Sequence, residues 1–389
     1  GLGAVYGGAT FCSWYPITPS TSVAEGFEKY AAKYRIDPQT GKNNYISVQA
    51  EDELAAVGMA IGANWNGARG FTATSGPGIS LMSEFLGLAY FAEVPLVVFN
   101  IQRGGPSTGM PTRTQQSDIL SCAYASHGDT KHILLFPEDP QECFEFSAEA
   151  FNLAERLQTP VFVISDLDIG MNDWVTDKFE WDDEKKYDRG KVLNAEDLDK
   201  MDNFGRYLDI DDDGICYRTY PGTHPDKGAF FTRGTSHDEY ARYTENGDIN
   251  EKTLTRLVKK FRTASELVPN PIIDLSDKQG SSGVIFYGST SAAMYEAKDI
   301  LNKNNIEVDL MRIRSFPFNL DVWEFIENHD LIYVIEQNRD SQMRTLIMAE
   351  GGISAEKLRS LVWFNGDPIQ AKFIAKKIYE RESQQALFT

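Results

Sequence analysis

The chain is short of cysteine, histidine, positive charge and long apolar runs, and each shortage removes a class of function. Its four cysteines, Cys12, Cys122, Cys143 and Cys216, stand far apart in 389 residues, with no C-x-x-C pair. They supply neither a zinc site nor the thiolate quartet of an iron–sulfur cluster. At this length they read as idle thiols in a reducing, cytoplasmic compartment rather than as a disulfide framework. The five histidines are scattered and form no H-E-x-x-H, and no G-x-S-x-G elbow occurs, so metalloprotease chemistry lacks support. Lys and Arg number 38 against 57 Asp and Glu, a net charge of −19, which opposes nucleic acid or an anionic membrane as the main partner. No apolar stretch approaches the ~20 residues that cross a bilayer.

What is present is an ordinary globular balance, 42% hydrophobic and 24% charged, which rules out wholesale disorder. At roughly 100–200 residues per domain the length suits two or three domains. The chain starts at Gly1, and Gly1-Leu2-Gly3-Ala4 reads as the inside of a helix, so we expect the tail end of a longer polypeptide. Apolar strands at 9–14, 45–48, 70–74, 95–100, 134–136 and 161–165 alternate with helices at 52–64, 79–91 and 139–157. A further helix, capped by Ser20 or Ser22, runs through Glu28. This rhythm predicts an α/β fold, a parallel sheet with helices on both faces.

From 174 the chain turns charged and turn-rich, which predicts an irregular excursion with a hairpin, closing in a linker helix over 250–264. The Gly/Ser-rich stretch 278–282 marks a boundary. Beyond it, strands at 283–287, 307–312 and 331–335 and helices at 291–301 and 320–328 predict a second, smaller α/β domain. The division is 1–250 for the first domain with its excursion 174–250, 251–280 for the linker, and 281–389 for the second domain.

Several segments have the residue types that chemistry needs, each with a plainer reading beside it. Tyr15-Pro16-Ile17-Thr18-Pro19-Ser20 follows the first strand, where α/β sheets bind ligands. Its prolines hold the Thr18 hydroxyl and the next N–H groups in place for a carboxylate or carbonyl oxygen; the plain reading is a helix cap. Glu51-Asp52-Glu53 opens a helix crowded with small residues, including Gly58 and Gly62. Each helical glycine costs about 1 kcal/mol relative to alanine, which implies close backbone approach to a second helix, a subunit or a flat ligand. A carboxylate on that first turn stays ionised beside the helix dipole and can accept from a heterocyclic N–H, though packing alone would explain the stripe. Thr74-Ser75-Gly76-Pro77-Gly78 is a strand-to-helix turn with free amides, but it lacks the ending of a P-loop, and the amino-terminal glycines complete no dinucleotide fingerprint. Arg103 ends the most apolar strand ahead of a glycine-rich loop, placed either to clamp a substrate carboxylate or to tie the loop down. Asp209 to Gly214 copies half a calcium loop, yet its twelfth position is Tyr220 rather than a bidentate Glu.

Taken together, Tyr-Pro-Ile-Thr-Pro, the Glu-Asp-Glu helix, Thr-Ser-Gly-Pro-Gly and Gln102-Arg103-Gly104-Gly105-Pro106-Ser107-Thr108-Gly109 resemble the α subunit of the 2-oxoacid:ferredoxin oxidoreductases, closest to the 2-oxoglutarate branch. The resemblance extends to Arg233-Gly234-Thr235-Ser236-His237-Asp238-Glu239-Tyr240 and to Glu336-Gln337-Asn338-Arg339-Asp340-Ser341-Gln342-Met343-Arg344. It implies a thiamine-enzyme pyrimidine-binding domain followed by a transketolase C-terminal-like domain, without the γ-type domain that precedes this region in many members. It implies CoA-dependent oxidative decarboxylation of a 2-oxoacid, or the reverse, with 2-oxoglutarate as the foremost substrate and pyruvate, branched-chain 2-oxoacids or indolepyruvate as alternatives. Thiamine diphosphate would be shared with a β subunit, in an (αβ)2 or equivalent assembly. Mg2+ and [4Fe–4S] clusters would lie in that subunit, and ferredoxin would take the electrons.

In this family the carboxylate on N1′ of the aminopyrimidine, which favours the imino tautomer that deprotonates C2, falls on Glu53, with Glu51 the lesser candidate. Thr18 and Arg103 match substrate contacts, and Pro16, Ile17, Ser75 and Gly76 match cofactor contacts. A reading from another class remains, a non-catalytic α/β subunit that buttresses a catalytic partner. A nucleotide-binding dehydrogenase is disfavoured by the missing glycine fingerprint.

Overall fold

In the computed structural model, which describes residues 1–277 and 282–386, the strand–helix rhythm becomes two sheets. The strands of the first region are β1 (Phe11–Trp14), β2 (Ile46–Gln49), β3 (Gly70–Thr74), β4 (Leu96–Gln102), β5 (Ile133–Leu135) and β6 (Pro160–Asp166). The later ones are β7 (Ile272–Asp274), β8 (Ser282–Tyr287), β9 (Val308–Ile313), β10 (Ser315–Phe316), β11 (Ile332–Glu336) and β12 (Leu358–Val362). They assemble in the orders β10-β5-β6-β4-β3-β1-β2 and β12-β11-β8-β9-β7. Every residue of β3, β4 and β6 is buried, as unbroken apolar runs require when helices cover both faces. Of the boundary expected at 278–282, only Ser282 lies within the described residues, where it opens β8.

The α/β class is as expected, but neither sheet is wholly parallel. β10 pairs antiparallel with β5, Ser315 opposite Leu135, and β7 pairs antiparallel with β9. The physical reason is edge protection, because both antiparallel strands are short and occupy edges that would otherwise present open ladder groups. β10 follows β9 after Arg314 alone, so one chain segment serves both sheets. Beside that crossing, Arg312 gives Glu142 a bidentate pair at 2.6 and 2.8 Å in the interior. One apolar core therefore runs from Leu134 and Phe136 of the first sheet's layer to Ile285 and Met311 of the second.

The helix after the first strand is longer than expected, Thr21–Tyr34, and Ser20 stands at its N-cap without a side-chain cap bond. The Ser20 hydroxyl donates to the Ile17 carbonyl instead. In the excursion no hairpin forms among the described residues. There are isolated bridges only, His237 with Tyr243 and Val192 with Arg218. Strand pairing is replaced by arginines reaching main-chain oxygens and buried acids. Arg218 and Arg189 reach Glu155, which also pairs with Arg69 at 2.7 Å, and Arg206 donates to the Glu93 carbonyl. His237 packs its ring 3.9 Å from that of Tyr207. The acidic run at 209–213 is matched by Lys191, paired to Asp211 and Asp213, and by Lys259, paired to Asp209 and Asp212.

The helix expected over 250–264 runs Gly247–Ala264 and docks on the first domain through charge. Glu93 is 1% exposed and receives both Arg256 and Lys260, the latter at 2.8 Å. Although burial opposes ionisation of Glu93, the two cations prevail and hold its carboxyl far below the usual carboxylate range. Replacing Glu93 with Gln leaves Lys260 and Arg256 buried without a counter-charge. We expect Glu93→Gln to lower unfolding stability by about 3–5 kcal/mol in urea titrations at neutral pH. The difference should shrink as the wild-type carboxylate is protonated in acid.

Candidate active site

The chain passes from β1 outward to β2 and then returns to β3 on the other side of β1. Such a reversal splays the following loops apart and leaves a crevice beyond the carboxyl ends of the strands. All the residues singled out from the sequence leave these strand ends. Pro16, Ile17 and Thr18 follow β1, Glu53 follows β2, Ser75 and Gly76 follow β3, and Arg103 follows β4.

Glu53 is the first residue of the helix Glu53–Trp65. Asp52 takes the N-cap, its carboxylate accepting from the Ala55 N–H at 2.7 Å, so Glu53 has no capping duty. Glu51 is exposed and precedes the helix. Glu53 is 7% exposed, and among the described residues no hydrogen bond or ion pair reaches its carboxylate. A carboxylate on a largely buried residue that no protein group pairs is open to a ligand donor. The small-residue helix has two different faces. A side chain at Gly58 would meet the Phe85 ring at 3.1 Å, whereas Gly62 faces open space, so close approach within the chain explains only the first glycine.

The turn after β3 is built around Glu53. A Cβ at Gly78 would collide with Thr74 Oγ1 and lie 2.9 Å from Glu53 Cγ, so only glycine lets the turn pass. The helix begins at Gly76 rather than Ile79, because Gly76-Pro77-Gly78 itself forms the first turn. Ser75 stands at its N-cap in extended conformation, and its buried hydroxyl has no partner. Asn100 lies opposite Thr74 in the sheet register, and its buried Oδ1 is also unpartnered.

Arg103 is 7% exposed and donates from Nη1 to the Thr18 carbonyl at 2.7 Å, while its buried Nε has no partner. Arg103 therefore meets Thr18 through the Thr18 main chain, and the Thr18 residue itself is exposed. Within the loop the Ile17 N–H donates to Thr21 Oγ1 at 3.0 Å. The loop is thus stiffened by Ser20 and Thr21 as well as by its prolines, with Pro16 exposed on its outer side.

Sequence reasoning missed Asp118. Its carboxylate accepts from Asn100 Nδ2 at 3.1 Å and lies 3.1 Å from where a Gly76 side chain would begin. Burial pushes its carboxyl up from 3.8 to about 6, against the pull of the Asn100 hydrogen bond and the Arg103 charge. The available signal was Asn100, a polar residue inside an otherwise apolar strand, which needs a buried partner. Chemically, the crevice offers one unpaired carboxylate to accept an N–H, a half-used guanidinium to receive an anion, and two orphaned oxygens between them.

A family model described as "Pyruvate flavodoxin/ferredoxin oxidoreductase, thiamine diP-bdg" matches residues 2–262. The chain is 36% identical over 379 residues to 2-oxoacid:ferredoxin oxidoreductase 1, subunit alpha, of Sulfurisphaera tokodaii, covering 94% of this chain and 58% of that one. Among solved structures it resembles the 2-oxoglutarate:ferredoxin oxidoreductase from Magnetococcus marinus with 2-oxoglutarate, coenzyme A and succinyl-CoA bound. That match has a TM-score of 0.86 at 29% identity and covers 97% of this chain and 63% of the other. A split gene transketolase, an inactive beta4 tetramer, shares the fold alone, with a TM-score of 0.51 at 9% identity over 95% of this chain and 91% of that one. The chain thus spans less than two thirds of the length of the two oxidoreductase chains, and its α/β architecture is of the thiamine-enzyme and transketolase kind.

The raised Asp118 carboxyl has a consequence for stability. A carboxyl that ionises near 6 when folded and near 3.8 when unfolded favours folding while protonated, and that contribution is lost as pH rises from about 4 through 6. Asp118→Asn should abolish this decline, gaining on wild type by up to about 2–3 kcal/mol between pH 4 and pH 7 in urea titrations.

Proposed function

Because the chain belongs to the α-subunit family of the 2-oxoacid:ferredoxin oxidoreductases, we propose that it supplies the pyrimidine-binding half of a thiamine-diphosphate-dependent active site completed by a β subunit. The reaction in this reading is CoA-dependent oxidative decarboxylation of 2-oxoglutarate, or its reverse, with ferredoxin as electron partner. The observation that carries it is Glu53, a largely buried residue at the sheet's reversal point whose carboxylate has no partner among the described residues. The choice of 2-oxoglutarate draws on the Magnetococcus marinus structure, which has that acid bound.

The residues present fit thiamine diphosphate. Glu53 provides the acceptor for a pyrimidine N–H, Gly78 keeps the turn beside it slim, and Ser75 and Gly76 bring an unpartnered hydroxyl and a helix start. Pro16 and Ile17 border the same crevice from β1. When bound, thiamine diphosphate supplies the carbon nucleophile and the electron sink that decarboxylation needs. Glu53 would then accept the N–H proton shared with N1′ of the pyrimidine. Arg103, already held by the Thr18 carbonyl, presents its remaining donors to the substrate carboxylate.

Magnesium and [4Fe–4S] clusters are assigned to the β subunit, since the thiols of this chain lie in β1, two separate helices and the excursion. A β-subunit surface is supported by apolar groups left open around Glu53, with Leu54 38%, Met59 43% and Leu81 49% exposed. The division at 250 and 280, with 281–389 as the second domain, belongs to the same reading, as does a cytoplasmic location. No helix among the described residues is long and apolar enough to cross a membrane.

The test is ferredoxin reduction by the reconstituted αβ complex over a panel of 2-oxoacids, with and without thiamine diphosphate. We expect 2-oxoglutarate to be preferred, and the reading fails if no 2-oxoacid is oxidised. Glu53→Gln should cost at least about 100-fold in turnover with the complex still assembled by gel filtration. Arg103→Ala should raise KM for the 2-oxoacid by about 10- to 100-fold, the worth of a charge-assisted hydrogen bond.

A further inference from the structure

The stretch Glu336–Arg344 was singled out in the sequence but has no part in the crevice described above. It lies where β11 ends in the second sheet, and it grips the return limb of the loop that Arg103 begins. Gln116 N–H donates to the Gln337 carbonyl at 2.8 Å, and Gln337 N–H donates back to Gln116 Oε1 at 3.2 Å, forming a short ladder between the two domains. Asn338 Nδ2 adds a bond to the Gln116 carbonyl at 3.0 Å. Gln342 closes the grip from both sides, donating to the Ser117 carbonyl at 2.6 Å and accepting from the Leu120 N–H at 3.1 Å.

Behind this row stands Glu336, fully buried, whose carboxylate accepts from Asn338 Nδ2 and from the Met343 and Arg344 N–H groups. A buried carboxylate with that many donors is a rigid anchor, so the turn from β11 into the helix Gln342–Gly351 is held before it touches the loop. The return limb in turn holds the outgoing limb. Gly104 N–H donates to the Arg113 carbonyl at 2.8 Å, and Gly105 N–H donates to Gln115 Oε1 at 3.2 Å. At its far end the limb delivers Asp118, whose N–H donates to Gln102 Oε1 at 3.0 Å. The glycine-rich loop has little apolar content of its own, so these bonds, together with the Thr114 N–H to the Gly366 carbonyl at 3.1 Å and the Gln116 side chain on Tyr287, Ser289 and Thr290, limit its conformations.

We propose that Gln337, Asn338 and Gln342 are positioning residues, through which the second domain seats the loop 103–118 and so sets Arg103 and Asp118 for the 2-oxoacid. This rests on the reading of Arg103 as the substrate clamp. Substrate affinity is then partly a property of the second domain, and disturbing the grip weakens binding of the 2-oxoacid more than it slows the chemistry at Glu53.

The experiment uses the reconstituted αβ complex and three variants at two positions of one helix start. Gln342→Ala removes the bond to Ser117 of the loop and the bond to Leu120 just beyond it, whereas Arg344→Ala removes two bonds confined to the second domain, to the carbonyls of Leu358 and Ala355. We expect Gln342→Ala to raise KM for 2-oxoglutarate by about five- to tenfold, with kcat within about twofold of wild type, as loss of one to two hydrogen bonds allows. Gln342→Glu, which keeps the acceptor for Leu120, should recover part of the loss. Arg344→Ala should leave KM at the wild-type value. Hydrogen exchange of the peptide spanning 114–120 should quicken in Gln342→Ala and not in Arg344→Ala. Unchanged exchange in Gln342→Ala, or an equal KM rise in Arg344→Ala, overturns the proposal. A wild-type complex that oxidises no 2-oxoacid overturns the functional reading instead, and exchange at 114–120 then still decides whether the grip exists.

Discussion

The turn from β3 into its helix must pass close to both Thr74 Oγ1 and Glu53 Cγ, a gap that glycine alone allows at position 78. That steric constraint sets the geometry around it. With Gly78 slim, the first turn of one helix lies against the first residue of another, and the Glu53 carboxylate is shielded without being paired. Ser75 follows β3, and Asn100 pairs with the last residue of that strand; both have unpartnered buried oxygens. Unsatisfied buried polar atoms lower the stability of a fold, and their concentration at one reversal point of the sheet is what separates this crevice from ordinary loop packing.

A second constraint is the burial of charge. An acidic chain of net charge −19 places several of its 38 Lys and Arg residues against interior acids, with Arg69 on Glu155, Arg256 and Lys260 on Glu93, and Arg312 on Glu142. Each pair fastens a separate piece to the first sheet's layers: the excursion through Glu155, the helix Gly247–Ala264 through Glu93, and the second sheet through Glu142. Such pairs add modestly to net stability but exact a heavy cost when half is removed, so they specify one arrangement of parts more than they strengthen it. The excursion shows this well, since it has almost no regular structure and is held by arginines on carbonyl and carboxylate oxygens.

The two sheets are also one mechanical unit. β10 completes the first sheet immediately after β9 leaves the second, a single apolar core joins the layers, and Gln116 and Gln337 form a buried ladder across them. The loop that carries Arg103 is therefore supported from both sides: by Thr18 at its start and by the second domain at its end. A crevice assembled from one sheet's loops thereby depends on a segment more than 200 residues further along the chain.

What the sequence determined by itself was whatever depends on local repetition and on residue type. Alternating apolar runs and helices specify an α/β fold because a run buried on both faces has no other stable place, and the strand-end positions of Ser75, Gly76 and Arg103 were legible because they follow such runs directly, whereas Glu53 was singled out by the family resemblance. Only tertiary structure decided the rest. Asp118 is distant in sequence from Asn100 and Gly76 and acquires its meaning from touching them. The antiparallel edges, the absence of the expected hairpin and the Thr18 contact through its carbonyl depend on partners brought together by the sheet order. Glu336 to Gln342 reads locally as a polar strand end, and it becomes a grip because a separate loop arrives with matching donors and acceptors. Hydrogen bonds between segments distant in the chain leave no periodic trace in either one, so they emerge only when folding brings the segments into contact.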